Sequence, residues 1–276
     1  MKKTVIDEEY LASVSPFFRG KAGKLFATGV LKILGIDKVN ALYSRNCHKQ
    51  GPEFTTLILK DIGVSYDIIN KERLESLPKG AFITVSNHPL GSIDGIMLID
   101  IFAKRRPDFK VMVNGILTHI EAMDENFIAV KPVTGNNNNT SAKSINGVRE
   151  SLERLRDNHP LGFFPAGAIS MLDPKTGEIE DREWQPSVVR LIKGAKVPVY
   201  PVYFDGLNSG FFYQLGRLSW LLRSMRIPHE VFNKRGTKFR VVIGAPVTVE
   251  EQRQYKNIED LANLLKTRTY DLKNDL

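Results

Sequence analysis

The chain has 276 residues, 42% hydrophobic and 25% charged, which suits one large folded domain and excludes wholesale disorder. Its single cysteine, Cys47, excludes an internal disulfide framework and a cysteine-rich zinc site, and reads as a spectator thiol. The net charge of +8 leaves nucleic acid, anionic lipid or an acidic carrier open as partners. No run of about 18 apolar residues occurs, so no spanning helix is predicted. The opening MKKTVIDEEY places acids, not an apolar stretch, after two lysines, which predicts no signal peptide and a cytoplasmic protein.

Residues 1–50 read as a helical extension. Between Phe17 and Gly35, Leu25, Phe26, Val30, Ile33 and Leu34 recur at helical spacing, punctuated by Arg19, Lys21, Lys24 and Lys32. That pattern fits a helix packed on the core or one lying on an anionic membrane. A strand–helix rhythm follows. Phe54–Leu59 alternates weakly and predicts a strand. Ala81–Val85 predicts a second, and Ile93–Lys104 a helix with Ile96, Leu98, Ile99, Ile101 and Phe102 as apolar surface.

Strands are expected at Lys110–Val113 and Phe127–Pro132, then a polar loop at Thr134–Ser141 and a helix from Ser141 to Asp157. Leu161–Pro165 reads as a short strand entering a turn, Pro186–Lys193 as a helix and Val197–Phe204 as a strand. Phe211–Met225 mixes aromatic and apolar residues with Arg217, Arg223 and Arg226, which suits either core packing or a bilayer interface. Lys238–Ile243 and Ile258–Leu272 predict a last strand and helix. Alternating strands and helices imply an α/β fold, a mostly parallel or mixed central sheet flanked by helices.

His88 follows a strand directly, where ligand sites of open α/β sheets gather. Pro89 suits a first helical position, and a helix N-terminus would keep the imidazole neutral and able to accept a proton. Asp94, after five intervening residues, is placed to fix its tautomer. On spacing alone, a structural His–Asp pair and simple turn glycines at Gly91 and Gly95 remain open.

Asn87-His88 with Asp94 resembles the first motif of the glycerolipid and lysophospholipid acyltransferase family. The usual spacing there is four residues; five stand here. His88, Pro89, Gly91, Asp94 and Gly95 match the His-Pro-x-Gly-x-x-Asp-Gly form of its bacterial hemolysin-like subgroup. Phe127–Lys131 resembles the second motif, with Lys131 in place of an arginine. Phe164-Pro165-Ala166-Gly167 resembles the third, Val197–Val202 the fourth, and Ile243–Pro246 a late strand end. The likeness spans about residues 80–250 and implies an acyltransferase domain over 51–276.

It further implies an O-acyltransferase with no bound cofactor. An acyl thioester, acyl-ACP or acyl-CoA, is the donor, and the hydroxyl of a lyso-lipid is the acceptor. His88 is the implied general base and Asp94 its partner. Asn87, Gly91, Lys131, Phe164, Pro165 and Gly167 are implied in substrate binding. Backbone N–H groups near Gly91 or Gly167 would hold the oxyanion. Ala166 replaces the glutamate of the third motif, and Ile169 stands where an arginine is common. Both departures turn the reading from 1-acylglycerol-3-phosphate toward a lyso-amino-acid lipid such as an ornithine or glycine lipid.

The resemblance places the protein peripherally on the cytoplasmic face of the inner membrane, on an anionic surface. No Gly-x-Ser-x-Gly elbow appears, and the five histidines lack metal-ligand spacing. Other readings are a non-catalytic lipid-binding scaffold and a nucleic-acid-binding protein. Against the latter, the cations are spread along the chain without a binding module, so no nucleic acid is expected.

Overall fold

A computed structural model describes residues 2–130 and 142–276. The polar loop predicted at Thr134–Ser141 and the end of the strand predicted at Phe127–Pro132 lie outside the described residues, and so does Lys131.

Three helices, α1 (Glu8–Val14), α2 (Gly20–Ile33) and α3 (Ile36–Asn46), lead into α4 (Gly51–Ile62). The strand expected at Phe54–Leu59 is therefore helix. Phe54, Thr55, Ile58, Leu59 and Ile62 are buried, which is a helical stripe and not an alternation. Pro52 in its first turn and Gly63 at left-handed φ 70° after its end supply the boundaries. Next come β1 (Ser65–Ile69), α5 (Glu72–Glu75), β2 (Ile83–Ser86), α6 (Ile93–Phe102), β3 (Lys110–Asn114) and β4 (Phe127–Val130). After α7 (Ala142–Arg156) and β5 (Leu161–Phe163), a small hairpin forms from β6 (Met171–Leu172) and β7 (Ile179–Glu180). The rest is α8 (Pro186–Ala195), β8 (Val199–Asp205), α9 (Gly210–Leu218), α10 (Trp220–Met225), α11 (Ile227–Asn233), β9 (Lys238–Ile243), α12 (Val249–Gln254) and α13 (Ile258–Asp271).

The main sheet has strand order β1-β9-β8-β2-β5-β3-β4. The five strands from β8 to β4 are mutually parallel, and β9 joins them antiparallel with β1 parallel to itself. The sheet is thus mixed, with helices on both faces, as the alternation of elements implies.

Two apolar clusters fill the faces. Phe82, Tyr200, Val202, Phe204 and Val241 pack with α3, α4 and α6. Ile83, Val85, Phe163 and Val199 pack with α8 and α13. Successive strand residues point to opposite sides, so one strand feeds both clusters. The leading helices share the first cluster through Leu42, Tyr43 and Cys47. This order sets β2 between β5 and β8, and the carboxyl ends of all three converge on one place.

Candidate active site

Strand β2 ends at Ser86, and the chain then turns through Asn87 to Ser92 before α6 begins at Ile93. Pro89 lies in this turn and is not the first helical residue expected from sequence. Asn87 ties the start of the turn to the neighbouring strand: its Nδ2 donates to the Phe204 carbonyl at 3.0 Å, and its Oδ1 accepts from Phe204 N–H at 2.8 Å. Both ends of the amide are engaged, so Asn87 acts on the site by holding β2 against β8.

Asp94 sits in the first turn of α6 with no exposed surface. Its Oδ2 accepts from the N–H groups of Leu90 (3.0 Å) and Gly91 (3.2 Å), and its Oδ1 from that of Gly95 (2.9 Å). Three donors replace the water a buried carboxylate would otherwise require. The same Oδ2 lies 3.1 Å from His88 Nδ1, an ion-pair approach that falls short of a well-aligned hydrogen bond. Of the five intervening residues, Leu90 and Gly91 turn their N–H groups inward onto the carboxylate. Gly91 adopts φ +85°, which side chains disfavour, and a Cβ there would lie 2.5 Å from Ile169 Cδ1. The positive φ favours glycine here, and any side chain would also have to displace the tip of Ile169.

His88 is held on every other side. Its ring packs against Phe164 with centroids 4.1 Å apart. Its N–H donates to Asp181 Oδ1 at 3.2 Å, and its carbonyl accepts from Ser170 N–H at 2.9 Å. Ser170 Oγ donates to the same Asp181 oxygen at 2.6 Å. Burial depresses imidazole protonation, but the facing carboxylate of Asp94, aided by Asp181, outweighs it and leaves the His88 pKa above its ordinary 6.5. The downward shift expected from a helix N-terminus is thus not the direction found. Two carboxylates stand close to the ring, and the helix starts only at Ile93. Nε2 finds no partner among the described residues and is the nitrogen left for an incoming hydroxyl.

The third-motif segment follows β5. Phe164 supplies the ring under His88; Pro165 is buried and accepts from Gln185 N–H at 2.9 Å. Gly167 has φ +61°, and a Cβ there would meet Gln185 Nε2 at 2.0 Å. The oxyanion donors expected at Gly91 and Gly167 are both engaged: Gly91 N–H donates to Asp94, and Gly167 N–H to the Phe164 carbonyl at 2.9 Å. Neither is a free donor. Ala166 is fully buried in the core cluster under α8, where a glutamate would have to bury its charge.

Sequence reasoning missed Asp181 and Glu230, and gave Asn208 and Tyr213 no contact with the His88 turn. Asn208 Nδ2 donates to the carbonyls of Pro89 (3.1 Å) and Leu90 (3.3 Å), and its N–H donates to Tyr213 Oη at 3.1 Å. Glu230 accepts from Ser209 N–H (2.9 Å) and Ser209 Oγ (2.6 Å). The end of β8 is thereby clamped to the His88 turn. The one signal in sequence was the Asp205–Gly210 turn, readable as lining a site mouth. The other four histidines are occupied elsewhere: His48 with the Arg45 carbonyl, His119 against Tyr10, His159 with Asp108 and His229 with the Ile33 carbonyl.

The chain is similar to known acyltransferases. A lyso-glycine lipid O-acyltransferase of Phocaeicola vulgatus is 27% identical over 285 residues, covering 98% of each chain. Another protein of that name, from Bacteroides thetaiotaomicron, is 27% identical over 283 residues, covering 96% of this chain and 99% of its own. The crystal structure of PlsC, the 1-acyl-sn-glycerophosphate acyltransferase of Thermotoga maritima, superposes with a TM-score of 0.52 over 97% of this chain and 92% of its own. Its identity is 16%, so it speaks for the fold alone. A family model described as acyltransferase matches residues 26–276, and the chain belongs to that acyltransferase family.

Proposed function

We propose that the protein transfers a fatty acyl group from a thioester of acyl carrier protein or coenzyme A to the hydroxyl of a lyso-amino-acid lipid, at a membrane surface. The observation that carries the reaction is the His88–Asp94 pair, with Nδ1 set 3.1 Å from a buried carboxylate and Nε2 left without a partner among the described residues. The acceptor hydroxyl gives its proton to Nε2 while its oxygen attacks the thioester carbonyl carbon. The tetrahedral adduct collapses, the carbon–sulfur bond breaks, and the departing thiolate takes the proton from His88. Products are an ester and a free thiol. Asp94 holds the ring and offsets the positive charge that forms on it.

Two observations support an acceptor other than 1-acylglycerol-3-phosphate. Ile169 lies against Gly91, beside the His88 turn, where the family commonly carries an arginine, and Ala166 leaves no carboxylate in the third motif. The names of the two relatives point the same way.

Membrane attachment is supported by two apolar faces. On α2, Ala27 and Leu31 face inward while Leu25 and Ile33 are 78% and 76% exposed. On α9 and α10, Phe212 and Tyr213 are buried while Leu218 and Trp220 are 79% and 65% exposed. His229 Nε2 donates to the Ile33 carbonyl at 2.9 Å, so the end of α2 meets α11 directly beyond α10. Exposed aromatic and aliphatic side chains flanked by Arg217, Arg226, Lys21 and Lys24 match a lipid interface, and no described helix is long and apolar enough to cross a membrane.

The test is transfer by purified protein from acyl-ACP and from acyl-CoA to vesicles carrying either lyso-glycine lipid or 1-acylglycerol-3-phosphate, with products read by mass spectrometry. Acylation of the amino-acid lipid is expected; transfer to the phosphate acceptor alone would overturn the acceptor class.

A further inference from the structure

We infer that Arg223, with Arg182 beside it, forms the receptor for the anionic headgroup of the acceptor lipid. This rests on the proposed acceptor class and names the residues that would select it.

Arg223 lies on α10, yet it is only 8% exposed in a helix whose apolar side chains face outward. A buried guanidinium is normally met by a carboxylate. None meets this one among the described residues. Its Nε has no partner, and its single hydrogen bond is Nη1 to the Ser170 carbonyl at a long 3.5 Å. Its plane lies over Phe212, with Cζ 5.6 Å from the ring centroid. The stem crosses Gly216, where a Cβ would come within 2.8 Å of Arg223 Cδ. The side chain is therefore held in place but left electrically incomplete. Burial and the like charge of Arg182 both press its pKa down.

The neighbouring cation differs in its counter-charge. Arg226 Nε also lacks a hydrogen bond, but it lies 3.7 Å from Glu230, which is further held by Lys234 and Ser209. Among the described residues, no acidic side chain does this for Arg223. Its position is equally specific. Ser170, whose carbonyl it touches, donates its own N–H to the His88 carbonyl. Exposed Arg182 donates Nε to the Ala166 carbonyl at 2.8 Å, on the turn that replaces the third motif's glutamate. The two guanidinium groups thus come from α10 and from the segment after β7, and flank the turn beside the catalytic ring. Planar forks of this kind match a carboxylate or a phosphate bidentately.

The experiment compares wild type, Arg223→Gln, Arg223→Lys and Arg182→Gln with three acceptors: lyso-glycine lipid, its uncharged methyl ester, and 1-acylglycerol-3-phosphate. Loss of a charge-assisted bond should raise the KM of Arg223→Gln for the anionic acceptor about tenfold or more. Its kcat and donor KM should hold, and Lys should recover part of the loss. The methyl ester should be used alike by wild type and variant. Arg182→Gln, at an exposed position, should show a smaller effect of the same sign even if Arg223→Gln folds poorly. Equal KM values, a rise in donor KM, or an equal loss on the ester would overturn the inference while leaving the acyltransferase reading intact. If wild type uses the phosphate acceptor and Arg223→Gln weakens that, the receptor stands and the amino-acid-lipid reading falls. If wild type uses no anionic acceptor, both fall.

Discussion

In the turn from Asn87 to Gly95, the polar groups that shape the loop meet protein partners and the carboxylate at its centre is fully buried. From Phe211 to Met225 the balance is inverted: large apolar side chains face out, and one arginine is turned in without a counter-charge among the described residues. The first region is held by its carboxylates: Asp94 fixes the N–H groups of Leu90, Gly91 and Gly95, and Asp181 fixes that of His88. Catalysis by a general base needs that fixity, since a ring misplaced by an ångström loses its reacting geometry. The second region is unfinished in water. Its exposed apolar surface and buried, weakly partnered arginine are the features on which the proposed attachment to lipid rests.

Substitutions that break the first region should have the larger effects. Asp94→Asn removes the charge facing Nδ1, and a loss of about 10²–10⁴ in transfer rate is expected. The pH–rate profile carries the sign. In wild type the base form of His88 appears only above a pKa raised past 6.5, so activity should fall as pH drops through a value higher than that. Without the Asp94 charge the acidic limb should move to lower pH. An unmoved limb would mean that another group titrates.

Gly91→Ala forces a side chain at φ +85° and against Ile169. About 1–2 kcal/mol of backbone cost and about 1–3 kcal/mol of overpacking are expected in denaturant unfolding. Ile169→Ala in the same chain should recover only the packing part. Asp181→Asn weakens the hold on the His88 N–H and on Ser170 Oγ, and should cost about 1–3 kcal/mol in the same assay. The smallest change in stability belongs to the second region. Replacing Leu218 and Trp220 together by serine should shift unfolding by no more than about 0.5 kcal/mol each, yet reduce co-sedimentation with anionic vesicles. Unchanged vesicle binding would deny these helices a part in attachment.

These regions also differ in how far they were legible from sequence. Strand β2, helix α6 and the His88–Asp94 spacing were readable because strong local apolar patterns frame them. Helix α4 was misread because Phe54–Leu59 is too short a window to separate a period of 2 from one of 3.6. Strand β1 was missed: at the sheet edge it has no fully buried residue to announce it. The partners of Asp181 and Asn208 were invisible for a different reason. These two residues reach the His88 turn across 93 and 119 residues of chain, and nothing local marks an aspartate or asparagine that will meet a distant backbone. The inward turn of Arg223 was hidden likewise, because its segment reads as evenly amphipathic.

Acyl transfer by wild type and His88→Ala, measured side by side on the lyso-lipid that wild type acylates, bears most directly on the His88 assignment. A fall of about 100-fold or more, with an unchanged circular-dichroism spectrum and melting midpoint, is the expected result. Undiminished turnover by a folded His88→Ala protein would contradict it.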